Sequence, residues 1–188
     1  MKKALVTLAL LIGAAYGLLY LVWRPVPTGG DFTLRSADGP VTLREVRGRV
    51  AILYFGYMSC PDICPTSLSV WKTALTSLRP EEMARVQPIF ISVDPERDTP
   101  ANIKGYVGFF HPSILGVTGD AAEVARVAKA YGARYAKVKT SSAMVYTVDH
   151  TADTYVVGPR GQLSATVPHG APPEDIVKAV RAALQEPQ

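Results

Sequence analysis

Cys60 and Cys64 are the only cysteines of the chain, and three residues separate them in Ser59-Cys60-Pro61-Asp62-Ile63-Cys64-Pro65. A pair this close can form one short disulfide, hold one soft metal ion, or sit idle. In a helical turn the two side chains lie one turn apart on the same face, near enough to bond to each other or to share an ion. A bridge closing so small a loop removes little entropy from the unfolded chain, which weakens the reading as a purely structural disulfide. Amide groups at a helix N-terminus favour a thiolate, whereas Asp62 between the cysteines opposes one. On these residues alone, bridge, metal clamp and idle pair all stay open.

Other side chains with metal or acid–base chemistry are few. Of the three histidines, His150 in Val148-Asp149-His150-Thr151 is a candidate ligand or an ordinary structural residue. His111 before Pro112 and His169 between Pro168 and Gly170 suit solvated turns. Asp149 can orient the His150 ring or stand exposed in a turn. Met58 and Met144 carry thioethers for a soft metal, although methionines in apolar runs usually fill cores. Asp94 and Asp98 mark either a partner-docking loop or turn and cap positions beside Pro95 and Pro100.

The cysteines must be positioned by what flanks them. Val50-Ala51-Ile52-Leu53-Tyr54-Phe55 is a continuous apolar run of the kind that forms a buried central strand, and it leads straight into the pair. From Thr66 to Leu78, apolar residues at Leu68, Trp71, Leu75 and Leu78 predict a helix, with Pro65 suited to its first turn. The pair therefore belongs to a strand-to-helix turn. Before it, Phe32–Leu34 and Val41–Leu43 predict a hairpin with Asp38-Gly39 in the turn. After it come a strand at Val86–Val93, a helix starting at Thr99-Pro100 and reaching about Phe109, a strand near Ile114–Val117, and a helix from Asp120. Strands at Met144–Val148, Thr154–Val157 and Leu163–Val167 precede a last amphipathic helix, Pro173–Leu184. Alternating strands and helices followed by a late antiparallel hairpin predict an α/β three-layer sandwich with a mixed central sheet.

The chain has 188 residues, of which 48% are hydrophobic, enough for one domain of ordinary size. Part of that hydrophobicity is an uncharged run from Ala4 to Trp23, behind Lys2 and Lys3, as long as a spanning helix requires. The lysines, with Tyr20 and Trp23 at the other end, predict an N-terminus inside and everything from Arg24 onward outside the membrane. A cleaved signal peptide is the competing reading, with Gly13-Ala14-Ala15 near a cut, but the apolar run continues past them. The expected organisation is an anchor over 1–24, a tether over 25–30 and a domain over 31–188. Lys2, Lys3 and Arg24 belong to the anchor, so of the 20 basic residues 17 remain against 16 acidic ones. A nearly neutral domain is poor support for nucleic-acid binding. An extracytoplasmic domain is also one in which a disulfide can persist.

Three stretches together carry a family resemblance: Tyr54-Phe55-Gly56-Tyr57 with the cysteine segment, Ser92-Val93-Asp94-Pro95-Glu96-Arg97-Asp98-Thr99-Pro100, and Val148-Asp149-His150-Thr151. They resemble the SCO/SenC family of membrane-anchored copper-binding proteins, over a span from about Phe32 to the last helix. Met58 stands where the family is expected to have a small polar residue. The resemblance implies a thioredoxin-like fold and a copper site carried over to Cys60, Cys64 and His150. It implies delivery of copper to the dinuclear copper A centre of cytochrome c oxidase subunit II, with an upstream copper donor, and for some members a thiol-reducing role on the same partner. Two thiolates suit Cu(I), an added imidazole makes Cu(II) tolerable, and zinc would accept the same ligands. A general thioredoxin-type enzyme fits less well. Thioredoxins have two residues between their cysteines and a proline facing them, whereas no proline occurs here between Pro112 and Pro159.

Overall fold

The computed structural model describes residues 12–13, 28–140 and 146–187. Nearly all of the expected membrane-spanning run, the first part of the tether and Met144 lie outside the described residues. Among the described residues no helix is long and apolar enough to cross a membrane.

In chain order the elements are β1 (Thr33–Ser36), β2 (Gly39–Thr42), a 3-10 turn (Leu43–Val46), β3 (Val50–Gly56), α1 (Ile63–Thr76), a short α2 (Pro80–Met83), β4 (Val86–Ser92), α3 (Pro100–Phe110), β5 (Leu115–Val117), α4 (Ala121–Tyr131), β6 (Tyr135–Lys139), β7 (Tyr146–His150), β8 (Thr154–Val157), β9 (Leu163–Val167) and α5 (Pro173–Leu184). The main sheet has the order β5-β4-β3-β8-β9. β3 runs parallel to β4 and β4 to β5, whereas β8 is antiparallel to both β3 and β9, so the sheet is mixed as expected.

β3 is buried along its whole length because both of its faces are covered. Alternate residues serve the two faces. Tyr54 packs its ring against Trp71 of α1, with centroids 6.1 Å apart, while Phe55 meets Tyr131 of α4 at 6.2 Å. α1 also packs on α3 and α5, and α4 packs on β1. The result is the expected three layers. Trp71 Nε1 donates to Thr154 Oγ1 at 2.8 Å, tying α1 to β8 and leaving no indole N–H unpaired in the core.

Helix starts follow local chemistry. Thr99 Oγ1 accepts from the Asn102 amide at 3.3 Å with Pro100 in the first turn of α3, and Asp120 Oδ1 accepts from the Glu123 amide at 2.8 Å at the head of α4. α1 begins at Ile63, three residues before its expected start, so Cys64 and Pro65 both lie inside its first turn. The β1–β2 hairpin is present, but Ser36 pairs with Gly39, so the turn residues are Ala37 and Asp38 rather than Asp38 and Gly39. Gly39 follows the turn at φ 130°, a conformation that favours glycine.

β6 was not expected. It pairs antiparallel with β7, which starts at Tyr146 and runs on through His150, with Tyr135 opposite His150. These two strands form a separate small sheet, and β6 is exposed on both faces from Ala136 to Lys139, so its alternation of Ala136 and Val138 with lysines marks no buried face. At the N-terminal side, the domain takes hold of the chain at Thr28. The Thr28 carbonyl accepts from the Leu163 amide at 3.0 Å, the Gly29 amide donates to Ala130 O at 3.2 Å, and Tyr131 Oη donates to Gly30 O at 3.0 Å.

Candidate metal centre

β3 ends at Gly56 and the chain turns into α1, which carries Cys60 just before its first turn and Cys64 within it. No side-chain oxygen caps the first amides of α1. Instead the Cys64 amide donates to Cys60 Sγ at 3.4 Å, so a sulfur occupies the position where helix-terminal N–H groups favour negative charge. Cys60 is half-buried and Cys64 is fully buried, and no disulfide joins them. Space for the Cys64 sulfur exists because residue 56 is glycine. A Cβ there would lie 2.8 Å from Cys64 Sγ and 2.7 Å from Tyr54 Cε1.

His150 arrives from the small sheet. Its ring lies edge-on between two tyrosines, 6.0 Å from the Tyr54 ring and 5.7 Å from the Tyr57 ring, centroid to centroid. Nδ1 donates to the Thr151 carbonyl at 3.2 Å, which fixes the tautomer and leaves the Nε2 lone pair facing the sulfurs, 3.3 Å from Cys64 Sγ. The two Sγ atoms and the imidazole nitrogen all lie within 4.8 Å of one another, and they are the one His, Cys, Asp or Glu group of this kind found among the described residues.

Charge is divided unevenly between the thiols. The hydrogen bond between the two sulfurs pulls the Cys60 thiol well below its ordinary value, aided by the Cys64 and Asp62 amides. The same bond, with burial, pushes the Cys64 thiol up. In the metal-free reduced state the negative charge therefore sits on the more exposed Cys60, and Cys64 keeps its proton and directs it to a neighbouring acceptor.

The surrounding loop is braced from below. Asp98 is buried and accepts from the Met58 amide at 2.9 Å and from Ser92 Oγ at 2.6 Å. Asp94 is also buried; it pairs with Arg97 and accepts from Tyr146 Oη at 2.8 Å. The Arg97 guanidinium lies over the Tyr146 ring at 3.8 Å and the Tyr57 ring at 5.7 Å, and donates to Tyr146 O at 3.0 Å. Asp94 and Asp98 are therefore internal braces and not a docking loop: one fixes the cysteine segment, the other fixes the start of the strand that carries His150.

Of the remaining candidates, Asp149 is exposed and, by strand alternation, projects to the face opposite His150; the Thr151 carbonyl orients the ring in its place. His111 bonds to Ser113 Oγ through Nδ1 at 2.7 Å, and His169 Nδ1 to Ser67 Oγ at 3.0 Å. Neither belongs to the three-residue group. Met58 is partly buried against the core. Tyr54, Gly56, Tyr57, Arg97 and Thr151 lie within the motif stretches but had no site role assigned from sequence, and Tyr146 lies outside them; a glycine ending a strand just before the cysteines was the one visible signal of close approach.

The donor set fits a single soft ion. Ligands held about 2.0–2.3 Å from a shared metal lie roughly 3.5–4 Å from each other, close to the separations found here, and two sulfurs with one imidazole suit copper or zinc. A family model described as SCO1/SenC matches residues 24–185. The chain belongs to the SCO1/SenC family. It is 38% identical over 154 residues to a protein named Protein SCO2 homolog, mitochondrial, of Bos taurus, covering 81% of this chain and 58% of that one. The chain thus spans less than two thirds of the length of this curated relative. Among solved structures it is similar to copper-bound ScoI of Arabidopsis thaliana, with a TM-score of 0.77 and 35% identity over 84% of this chain and 98% of that one. It is also similar to BsSco, whose structure is described as revealing a disulfide switch in a member of the Sco family of cytochrome c oxidase assembly proteins, with a TM-score of 0.68 and 26% identity over 87% and 96% of the two chains. The central fold is the thioredoxin-like one of these SCO structures.

Proposed function

We propose that this SCO1/SenC protein is a copper carrier that binds one copper ion through Cys60, Cys64 and His150 and passes it to the dinuclear copper A centre of cytochrome c oxidase subunit II. The observation that carries the reading is the convergence of the three donor atoms, with His150 Nδ1 tied to a backbone carbonyl so that Nε2 is free to bind. Two thiolates favour Cu(I) as cargo, and the imidazole lets the same residues hold Cu(II). Uptake displaces the Cys64 proton; release to an acceptor with further thiolate and imidazole ligands proceeds by ligand exchange, beginning at half-exposed Cys60. The run Ala4–Trp23 acts as a membrane anchor over 1–24, residues 25–30 as the tether, and 31–188 as the domain on the extracytoplasmic side.

Competition with a Cu(I) chelator tests the ligand set. The reduced protein is expected to bind one equivalent, and Cys60→Ser, Cys64→Ser and His150→Ala each to weaken binding by at least about tenfold, the lower end for a disturbed metal site. Full affinity in His150→Ala would remove histidine from the site.

A second reading has its own observation: a thiolate at Cys60 beside a protonated partner thiol is the arrangement of a dithiol reductant. Cys60 would attack an acceptor disulfide to give a mixed disulfide and release one acceptor thiolate. Cys64 would lose its proton and displace the second, forming the Cys60–Cys64 disulfide as two electrons pass to the acceptor. Mixing either the copper-loaded or the metal-free dithiol protein with a subunit II domain separates the readings. Copper movement supports the carrier, and reduction of an oxidised acceptor without copper supports the reductant.

A further inference from the structure

The domain is nearly neutral as a whole, yet its two ends differ in charge. The metal centre lies just past Gly56, at one end of β3. Exposed Asp62 and Asp149 stand at that end, and neither has an ion-pair partner among the described residues. So do exposed Glu174 and Asp175 in the first turn of α5, which follows β9; the last residue of β9, Val167, faces Thr154, and Thr154 faces Tyr54. Part of this acidity answers the helix dipoles, because α1 and α5 both start here.

The opposite end is basic. The turn before β3 brings Arg47 and Arg49, the turn before β4 brings Arg85, and the β8–β9 turn brings Arg160. These turns adjoin: the Gly48 amide donates to Pro159 O at 2.9 Å and the Val50 amide to Arg85 O at 2.9 Å. Arg47 pairs with Asp31 at 3.1 Å, but Arg49 donates to Gln87 Oε1 and Arg85 to the Leu184 carbonyl, so neither meets a carboxylate. Exposed Arg160 has no side-chain partner among the described residues. The acids of this end are already engaged, Glu45 in capping the 3-10 turn and Glu81 and Glu82 with Arg79 and Arg181. None of the four arginines lies within a helix, so helix dipoles do not account for them.

The chain enters the domain at this basic end. Thr28 bonds to Leu163, which stands opposite Val157, and Val157 stands opposite Ala51. Ala51 precedes Gly56 by five positions, so Thr28 lies about 16 Å from the metal end at ~3.3 Å per strand residue. A Cβ on Gly29 would stand 3.5 Å from Gly161 O, which sets the entering chain against the β8–β9 turn. From Trp23, the last residue of the apolar run, to Thr28 is five residues, a reach of at most about 18 Å. A chain anchored through that run keeps its basic end beside the bilayer. Turning the metal end down would use up the whole tether.

Resting on the membrane-anchor reading above, we propose that the end bearing Arg47, Arg49, Arg85 and Arg160 docks on a bilayer surface with anionic phospholipid headgroups, so that the metal centre faces the aqueous space. The tether holds these arginines within reach of the headgroups, where each basic residue favours docking about fivefold. The same surface repels the acidic end, which makes the opposite orientation unfavourable. Cargo exchange then takes place on the side of the domain turned away from the bilayer.

Amide NMR of the full chain in nanodiscs tests this, with phosphatidylcholine, phosphatidylglycerol and a trace of lipid carrying a gadolinium chelate on its headgroup. Amides of Arg47, Arg49, Arg160 and Gly161 are expected to broaden, and those of Cys60, Asp62 and His150 to stay sharp. In phosphatidylcholine alone, and in Arg160→Glu, the ratio of docked to undocked domain should fall at least about fivefold, and the contrast between the ends should shrink with it. Equal broadening at the two ends, or stronger broadening at the metal end, overturns the proposal. So does a contrast that is the same in both bilayers and in the variant, because the tether alone would then set the orientation. A full chain that stays out of the nanodiscs overturns the anchor reading together with this inference, whereas an incorporated chain without contrast overturns the inference alone.

Discussion

Cys60 and Cys64 are identical in type and four positions apart, yet the fold gives them different chemistry. One stands half-exposed with its sulfur at a helix-terminal amide, and the other is enclosed and keeps its proton. Iodoacetamide at about pH 6, where an ordinary thiol of pKa ~8.5 is almost wholly protonated, should therefore modify Cys60 of the reduced metal-free protein and spare Cys64 until the chain is denatured. Peptide mapping checks this, and equal labelling of the two would contradict the division of charge. Gly56 makes the enclosure possible. Gly56→Ala sets a methyl 2.7 Å from Tyr54 Cε1 and 3.0 Å from Phe90 Cε2, both in rigid rings, besides crowding the Cys64 sulfur. Overpacking of this kind typically costs about 1–3 kcal/mol, so the variant should fold with a melting temperature several degrees lower and bind Cu(I) more weakly. The cysteine pair was legible in the sequence because its spacing is local. His150 was not, since 86 positions separate it from Cys64, and only the family resemblance drew the two together. The Thr151 carbonyl was less legible still: every residue has a carbonyl, and its role depends on where the ring turns.

At the scale of elements, the site joins two sheets. The cysteines belong to the β3–α1 junction and His150 to the small β6–β7 sheet, so ligand geometry depends on how that small sheet is held. The tie is the Asp94–Arg97–Tyr146 group, in which one buried carboxylate receives both the guanidinium and the tyrosine hydroxyl at the first residue of β7. Tyr146→Phe keeps the ring under Arg97 and removes the hydroxyl's 2.8 Å bond to Asp94. A hydrogen bond to a charged group contributes about 1.5–3 kcal/mol. Amides of β7 should therefore exchange with solvent at least tenfold faster in the variant while β3 amides do not, and Cu(I) affinity should fall with the loss of His150 pre-organisation. Uniform acceleration across both sheets would show that the group supports the whole fold and not this hairpin. The layers were legible because β3 is apolar throughout and the helical faces are periodic. β6 escaped because it is exposed on both faces from Ala136 to Lys139 and so has no buried apolar stripe to reveal it. The early start of α1 lay outside the apolar periodicity that begins at Leu68; Asp62 stands at the N-cap, yet its side chain makes no cap bond and the Cys64 amide bonds Cys60 Sγ instead.

For the whole molecule, two linkages to solution conditions follow. Glu82 joins α2 to α5 through Arg181 Nε at 2.9 Å, and Arg181, with the Arg79 amide and guanidinium, holds its carboxyl at about 2. The folded value lies below the ~4.3 of an unfolded glutamate. This contribution is therefore fully present above about pH 4.3 and disappears as pH falls through 2. Melting temperature measured from pH 5 to pH 2 should decline less steeply in Glu82→Gln than in the wild type; parallel curves would contradict the linkage. The second linkage is to the metal. Because the ligands come from two sheets, an ion that binds all three stabilises the folded chain as a whole, by about 2.7 kcal/mol at a free concentration one hundred times the dissociation constant. For a domain of this size each kcal/mol raises the melting temperature by roughly 2–4 °C, so buffered Cu(I) should raise it by about 5–10 °C. His150→Ala should lose most of that increment, because the ion then bridges only Cys60 and Cys64 within one junction. An equal shift in that variant would mean that the small sheet takes no part in holding the ion, and slower exchange of β7 amides on loading, seen in the wild type alone, would locate the stabilisation where the two sheets meet.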